Sequence, residues 1–157
     1  MRHDIVAALL IAAVSVYPAT TRAADWNATD KTFVMKAATS GAEEVSEGKA
    51  YSTASNTDAR VFAARMVQDH TKANAQLAQI ANSVGLSSAL QQGLQEAKAP
   101  SAASPSVYLK KEVTDHQEAI ALFEDEAKNG ANPSLRQFAQ QSLPTLREHL
   151  AMAEKYS

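Results

Sequence analysis

Three of the four histidines in this chain of 157 residues share one local context, in which an apolar residue, any residue and an acidic residue precede the histidine. Imidazole is a common ligand for zinc, iron, copper and nickel and a frequent member of buried hydrogen-bond networks. No sequence signature of a catalytic group accompanies these histidines. The pattern therefore indicates a polar or metal site without indicating a reaction. The three copies are residues 67–70, 113–116 and 146–149, which end in His70, His116 and His149.

One acidic side chain on another predicted helix, Glu44, falls at the same level as the histidines. Each residue of a helix rises by ~1.5 Å. In each predicted hairpin the two polar residues lie equally far from the turn, which is near Thr57 in one hairpin and near Asn132 in the other. If the connection between the hairpins runs the length of the bundle, all four positions fall within about one helical turn of the same layer. The predicted metal ligands are Glu44, His70, His116 and His149.

This set of side chains supports two hypotheses. Three imidazoles and one carboxylate are suitable ligands for one divalent transition-metal ion, such as zinc or iron. Alternatively, the same side chains form a metal-free network of hydrogen bonds that links Glu44 to the histidines inside the bundle. Only the first hypothesis predicts that an added ion stabilises the protein.

An acidic residue directly precedes each of the three histidines and points about 100° away from it round the helix. Such a carboxylate cannot easily pair with its own histidine, but it can accept the second ring N–H of a histidine on another helix. The alternative is a solvated surface acid. These acids are Asp69, Asp115 and Glu148; Glu47 and Asn74 are weaker candidates for the site, and Glu43 and residues 124–126 are predicted to face solvent.

The elements that position these residues are predicted to be helices. Glycine and proline are rare and clustered, and good helix formers fill the spaces between them. The prediction is an all-α four-helix bundle made of two helical hairpins that are joined by a long crossover. The predicted helices span about 29–55, 57–84, 105–129 and 133–155, and the crossover over 86–103 contains a short helix near 89–98.

Pro144 falls inside the fourth predicted helix, about one turn before His149. Proline cannot donate a backbone hydrogen bond to the carbonyl of Gln140, so we expect it to bend the helix. Two interpretations stay open. The bend either wraps the helix round the core without a functional cause, or it aims His149 into the site.

Residues 1–23 have the three parts of a secretory signal, namely Arg2 near the start, an apolar run over 5–17, and small residues up to a cleavage position after Ala23. The apolar run is shorter than the roughly 20 residues that cross a bilayer. We therefore expect an exported, periplasmic protein with a single domain over residues 24–157. Association with the outer membrane or with an envelope protein, and formation of a homo-oligomer, are the partner hypotheses.

The charge and the cysteine count exclude some functions. Removal of residues 1–23 takes away two arginines and one aspartate, which leaves 13 basic and 16 acidic side chains and a net charge of −3. No basic patch of the kind that binds a phosphate backbone is visible, so nucleic acid is not an expected partner. Because the chain has no cysteine, neither disulfides nor thiolate ligands contribute.

Four stretches, residues 44–50, 62–70, 115–124 and 143–150, together resemble a bacterial family that is catalogued as domain of unknown function 4142. Its members are often labelled putative outer membrane protein and are placed among the ferritin-like four-helix bundles. The resemblance implies a ferritin-like topology with a long crossover between the second and third helices. It also implies the same inward polar set, and it implies no established reaction. In this chain Ser104 and Pro105 stand where the family usually has Phe-Asp.

Ferritin-like di-iron enzymes carry Glu-x-x-His on two helices. Here Val67 and Leu146 stand three residues before His70 and His149, so the di-iron signature is absent. Oxidase, ferroxidase and iron-storage functions are therefore disfavoured. The sequence favours a binding protein with a site in the middle of the bundle. The alternative is a metal-free envelope stress or interaction module, and a metal-dependent enzyme is the third hypothesis.

Overall fold

The structure is a computed structural model that describes residues 25–101 and 104–157. Within these ranges all regular structure is helical: α1 (Ala28–Tyr51), α2 (Thr57–Ser83), α3 (Ser87–Glu96), α4 (Pro105–Asn129) and α5 (Pro133–Tyr156). The predicted all-α bundle is thus confirmed. Among the helices of the described ranges, none combines the length and the hydropathy that a bilayer crossing needs. The predicted signal segment, residues 1–23, lies outside the described residues.

Side chains cap the N-termini of the four long helices. Asn56, Ser104 and Asn132 accept backbone N–H bonds at the starts of α2, α4 and α5, and prolines occupy the first turns of α4 and α5. The first helix is capped by Asn27 and begins at Ala28, one residue before the predicted start near residue 29. Asn27 is preferred because Asp30 completes a capping box, in which each side chain accepts the other residue's backbone N–H.

The first helix also ends earlier than predicted, at Tyr51 and not near Ser55. The residues after it form the tight connection to α2, in which the N–H of Ala54 donates to the carbonyl of Tyr51 over 3.0 Å. The guanidinium of Arg60 then donates to the carbonyl of Ala54 over 2.9 Å. A continued helix would carry these residues away from α2, so closing the hairpin requires the helix to stop.

The helices pack as two hairpins, α1 with α2 and α4 with α5, and the hairpins meet along α1–α4 and α2–α5. Phe33 near the start of α1 contacts Phe123 near the end of α4, with ring centroids 4.9 Å apart. Tyr51 at the end of α1 stacks on Tyr108 at the start of α4 at 4.3 Å. Hence α1 and α4 are antiparallel, and the link from α2 to α4 must run the length of the bundle. The predicted hairpins and long crossover are present; the ferritin-like assignment itself stays a prediction.

The crossover is fixed to the bundle by α3, which lies on α1. A Cβ added at Gly93 would clash with the backbone carbonyl of Met35, so only glycine allows α3 to approach this closely. The hydroxyl of Thr39 donates to the carbonyl of Gly93 over 2.9 Å. Gly85, with a φ of 81°, ends the preceding helix in the left-handed conformation that glycine favours.

Two apolar clusters fill the bundle, one towards each end. The larger is built round Phe33, Phe123 and Phe138, and the smaller round Phe62 and Tyr108. The predicted polar residues lie between them along every long helix. The bundle is therefore divided by a layer of buried polar side chains with apolar packing on both sides.

Pro144 does not interrupt α5, which continues on both sides of it, and its ring is exposed. One turn earlier, the hydroxyl of Ser142 donates to the carbonyl of Phe138 over 2.9 Å. An exposed proline inside a continuous helix agrees with a tolerated local adjustment. The alternative interpretation, in which Pro144 positions the buried His149, stays a hypothesis.

A buried carboxyl cluster, formed by Asp30 and Glu126, lies at the end of the bundle opposite Tyr51. The carboxylate of Asp30 accepts the backbone N–H groups of Asn27, Ala131 and Asn132 over 2.6–2.9 Å and so ties α1 to the turn between α4 and α5. Glu126 is fully buried beside it. The expectation that residues 124–126 face solvent is thus wrong for Glu126, because the antiparallel packing of α1 and α4 covers it.

The two acids of this cluster have opposite pKa shifts. Burial would raise the pKa of Asp30, but its three backbone hydrogen bonds hold it below the usual value. For Glu126, burial and the negative charge of Asp30 raise the pKa to about 8, and Arg136 opposes this only in part. The folded state therefore keeps Glu126 protonated at neutral pH.

We expect Glu126→Gln to stabilise the protein at alkaline pH. A folded pKa above the unfolded value of 4.5 means that stability is fully present below pH 4.5 and is lost as the pH rises towards 8. Glutamine stays neutral, so the variant should melt above the wild type at about pH 9 and differ least near pH 4. Glu118→Gln, the same change at an exposed position of α4, is the control. Equal pH dependence of melting in wild type and Glu126→Gln would contradict the prediction.

Candidate metal centre

The three histidines of the repeated motif meet in the buried polar layer. Their ring centroids are 5.8, 5.4 and 5.3 Å apart for the pairs His70–His116, His70–His149 and His116–His149. One ring nitrogen of each lies within 4.8 Å of the corresponding nitrogens of the other two. His116 and His149 are each only 1% exposed, and His70 is partly buried. The structure therefore brings together one imidazole from each of α2, α4 and α5.

The tautomer of His116 follows from its own helix. Its Nδ1 lies 2.9 Å from the backbone carbonyl oxygen of Glu112, one turn earlier. A carbonyl oxygen only accepts, so Nδ1 must carry the proton that it donates. In the neutral ring the lone pair is then on Nε2, which is buried and has no hydrogen-bond partner among the described residues.

The tautomer of His149 is fixed by a residue on another helix. Its Nε2 lies 2.9 Å from the Oδ2 of Asp69 on α2, and Asp69 also pairs with the guanidinium of Arg65. Burial would raise the pKa of Asp69, but the hydrogen bonds from Arg65 and His149 lower it, so the group is a carboxylate that accepts. The lone pair of His149 is therefore on Nδ1, which has no partner within the described part of the chain.

The surroundings keep His70 and His149 neutral. Burial, together with the proximity of His149 and His116, lowers the pKa of His70 to about 3. Burial likewise lowers the pKa of His149 to about 4, although Asp69 opposes the shift. The Nε2 of His70 is buried and, among the described residues, unpaired. A neutral imidazole is the form that binds a metal ion, and a ring whose other nitrogen is held by a carboxylate or carbonyl is typical of metal-ligating histidines.

Two buried glutamates form a second group with His116. The ligand atoms of Glu44, Glu112 and His116 also lie within 4.8 Å of one another, and the Oε2 of Glu112 is 3.3 Å from the Nδ1 of His116. Burial and then the charge of Glu112 raise the pKa of Glu44 well above its ordinary value. Burial raises the pKa of Glu112 to about 7. His116 thus joins the three-histidine group to a carboxyl pair.

Glu112 was missed by the sequence reasoning. Its signal was its spacing, because residues four apart on a helix lie on the same face. Glu112 precedes His116 by four residues and therefore shares its inward face on α4. The sequence reasoning took Glu44, on α1, as the acid of the site. The structure sets the two acids together.

The other candidate acids are held by basic side chains. Asp115 pairs with Lys111, which also lies 3.1 Å from the carboxylate of Glu47. Glu148 is largely exposed, 3.7 Å from the guanidinium of Arg65. Asp69 alone of the three motif acids contacts a histidine on another helix. Asp69 reaches His149 because α2 packs against α5 at this level.

A cavity of about 310 Å³ opens from the histidines. Its polar floor is formed by the three histidines together with Glu44 and Asp69. Asn74, a weaker sequence candidate, lies on its wall against Gly41. The lining also includes exposed residues of α2 and α5, so the cavity reaches solvent between these helices. These residues are Lys72, Gln76 and Gln141.

An antiparallel helical bundle with buried imidazole and carboxyl side chains at one level is the class of protein that the fold and the site define. The chain belongs to the family described as Domain of unknown function (DUF4142), whose family model matches residues 16–156. This membership confirms the resemblance seen in the sequence. No curated protein and no solved structure matches the chain.

The assigned tautomers can be tested in the metal-free protein at neutral pH. Long-range ¹H–¹⁵N correlation spectra should show His116 protonated at Nδ1 and His149 at Nε2, because a carbonyl and a carboxylate respectively accept those protons. Asp69→Ala should remove the preference of His149 and leave His116 unchanged. Asp115→Ala, the corresponding change in the second motif, is the matched control and should alter neither ring. A His149 that stays at Nε2 in Asp69→Ala would disprove the role of Asp69.

Proposed function

We propose that the protein binds one divalent transition-metal ion through His70, His116 and His149, and that zinc fits the ligand set best. The observation that carries the proposal is the convergence of three imidazoles, with one ring nitrogen of each within 4.8 Å of one nitrogen of each of the others. Each ring also has one buried nitrogen without a hydrogen-bond partner among the described residues. Zinc with three histidine ligands is a familiar arrangement. Tetrahedral nitrogens at ~2.1 Å from zinc are ~3.4 Å apart, so small side-chain rotations would complete the site.

The hydrogen bonds round the site argue against a metal-free network. Such a network needs an N–H donor for every buried acceptor. His116 and His149 already donate their ring protons outwards, to Glu112 and Asp69, and present lone pairs to each other. A single ring N–H of His70 can donate a hydrogen bond to only one of these two lone pairs. A cation accepts all three lone pairs at once, which supports the metal hypothesis.

A divalent ion displaces the proton of a buried carboxyl when it binds, and the resulting carboxylate supplies the negative charge that the ion needs in a low-dielectric interior. Glu44 lines the same cavity as the histidines, and Glu112 lies beside it. We assign Glu44 as the acidic member of the site, in keeping with the sequence prediction, and Glu112 as its partner. Three imidazoles leave one coordination position for this acid or for another ligand. We assign no catalytic residue and propose binding as the molecular role.

Metal titration tests the proposal. Zinc at about 100 times its dissociation constant should stabilise the fold by ~2.7 kcal/mol and raise the melting temperature by roughly 8 °C. His70→Gln removes one ligand at a partly exposed position and should weaken zinc binding more than about 100-fold. Asp69→Asn, which only disturbs an outer hydrogen bond, should weaken it ~10–100-fold. Calorimetric titration measures the affinities.

Gln117→Ala, on the exposed face next to His116, is the matched control and should bind zinc as the wild type does. His116→Ala adds a second criterion. If the histidines are a metal-free structural network, His116→Ala lowers the melting temperature with or without ions. In that case no divalent ion shifts the wild-type melting curve, and the metal proposal is wrong.

We further propose that the protein is exported, to the periplasm, on the strength of the signal-like pattern in residues 1–23. Expression with the full sequence should yield a mature chain that starts at Ala24 or within two residues of it. Intact-mass measurement of the envelope fraction checks this. Recovery of the chain with residues 5–17 still attached would show that the segment is not a cleaved signal.

A further inference from the structure

The cavity over the histidines extends to one side of the polar layer only. Its apolar lining includes Phe123, Phe138 and Leu77, which belong to the larger apolar cluster. None of the core residues of the smaller cluster, such as Phe62 and Tyr108, contributes to it. The cavity therefore runs from the metal ligands into the apolar half of the bundle. A water-filled channel would not require such walls.

The lining has the distribution of polarity that small organic ligands select. Binding cavities of a few hundred cubic ångströms are mostly apolar and carry a few polar groups that orient the ligand. Here Leu77, Phe123, Phe138 and Leu146 form the apolar part of the lining. The polar part consists of the histidines and acids of the site, small polar side chains such as Ser142 and Thr145, and the exposed Lys72, Gln76 and Gln141. Apolar cavities hold water poorly and accept organic molecules readily.

We propose that this cavity binds a small monocarboxylic acid with a short apolar chain, whose carboxylate takes the open position of the bound metal ion. The inference rests on the proposed metal site. Zinc with three histidine ligands commonly keeps a fourth position for an exogenous oxygen ligand. The ionised acids that share the lining, Asp69 and Asp115, are paired with Arg65 and Lys111, and Lys72 adds a positive charge that favours entry of an anion. The apolar chain lies against Phe123 and Phe138.

Cobalt-loaded protein and a series of straight-chain carboxylates test the proposal. Cobalt takes zinc sites and has visible absorption bands that change when a ligand binds to it. Acetate, butyrate and hexanoate should each change the spectrum, because the headgroup is the same. Affinity should rise by roughly fourfold for each added CH₂ until the cavity is full, since each buried CH₂ contributes ~0.8 kcal/mol.

Two alanine positions on α2 give a matched pair of variants. Ala73 lines the cavity, whereas Ala75 is exposed and does not. Ala73→Leu fills the space and should flatten the dependence of affinity on chain length. Ala75→Leu adds the same leucine outside and should reproduce the wild-type series. Cobalt stoichiometry is measured for both variants so that loss of metal is not mistaken for loss of the cavity.

The possible failures are distinguishable. If cobalt binds but no carboxylate alters its spectrum, or if acetate and hexanoate bind equally well, the carboxylate proposal is wrong and the metal site stands. If the length dependence is the same in Ala73→Leu as in wild type, the chain lies elsewhere and the proposed cavity is wrong. If cobalt and zinc do not bind at all, both proposals fail.

Discussion

The burial of polar groups in the middle of an apolar bundle is the constraint on which the rest of this structure depends. Removing an imidazole or a carboxyl from water costs free energy unless the group finds a partner. Here each partner is supplied from outside the layer. The carbonyl of Glu112 and the carboxylate of Asp69 each hold one nitrogen of a histidine, and the opposite nitrogens are buried without a hydrogen-bond partner among the described residues. The interior is thus packed round histidine nitrogens whose hydrogen bonds are not satisfied by the described residues.

The fold keeps this centre in place by packing on both sides of it. The phenylalanine cluster at one end and the cluster of Phe62 and Tyr108 at the other fix the heights of the four long helices. The helix α3 lies along α1 and allows α4 to start at the far end of the bundle from the end of α2. Because α4 therefore runs antiparallel to α1, Glu44 and Glu112 are brought to the same level. A shorter connection would reverse α4 and separate them.

Burial affects the pKa values of the histidine site and of the cluster formed by Asp30 and Glu126 in the same way, but hydrogen-bond donors offset it at only one of the two places. Burial favours the neutral form of a group, so the pKa of His70 falls and the pKa values of Glu112 and Glu126 rise. At Asp30, three backbone N–H donors outweigh burial and hold the carboxylate ionised, which serves a structural connection. At the histidines, no residue of the described ranges donates a hydrogen bond to the buried nitrogens His70 Nε2, His116 Nε2 and His149 Nδ1. The hydrogen bonds of Asp30 are therefore satisfied within the fold, whereas the histidines keep nitrogen atoms that a ligand can bind.

Much of the fold could be predicted from the sequence, because helix propensity, caps and the positions of glycine and proline are local properties. The predicted bounds of α4 and α5 agree with the observed helices to within one residue, and the crossover with its short helix was expected. The end of α1 was less accurate, since the helix was predicted to reach residue 55 and ends at Tyr51. A capping box at Asn27 and a tight hairpin turn after Tyr51 depend on contacts that periodicity does not report.

The sequence by itself determined that one histidine from each of three helices faces inwards at a common level, because residue spacing sets angle and height along a helix. Only the tertiary structure decided which acids accompany them. Asp69 reaches His149, whereas Asp115 and Glu148 are held by Lys111 and Arg65, and Glu112 joins Glu44. Spacing gives the direction of a side chain from its own axis. Its partner depends on how neighbouring helices are rotated and aligned against that axis, which the packing of the whole core sets.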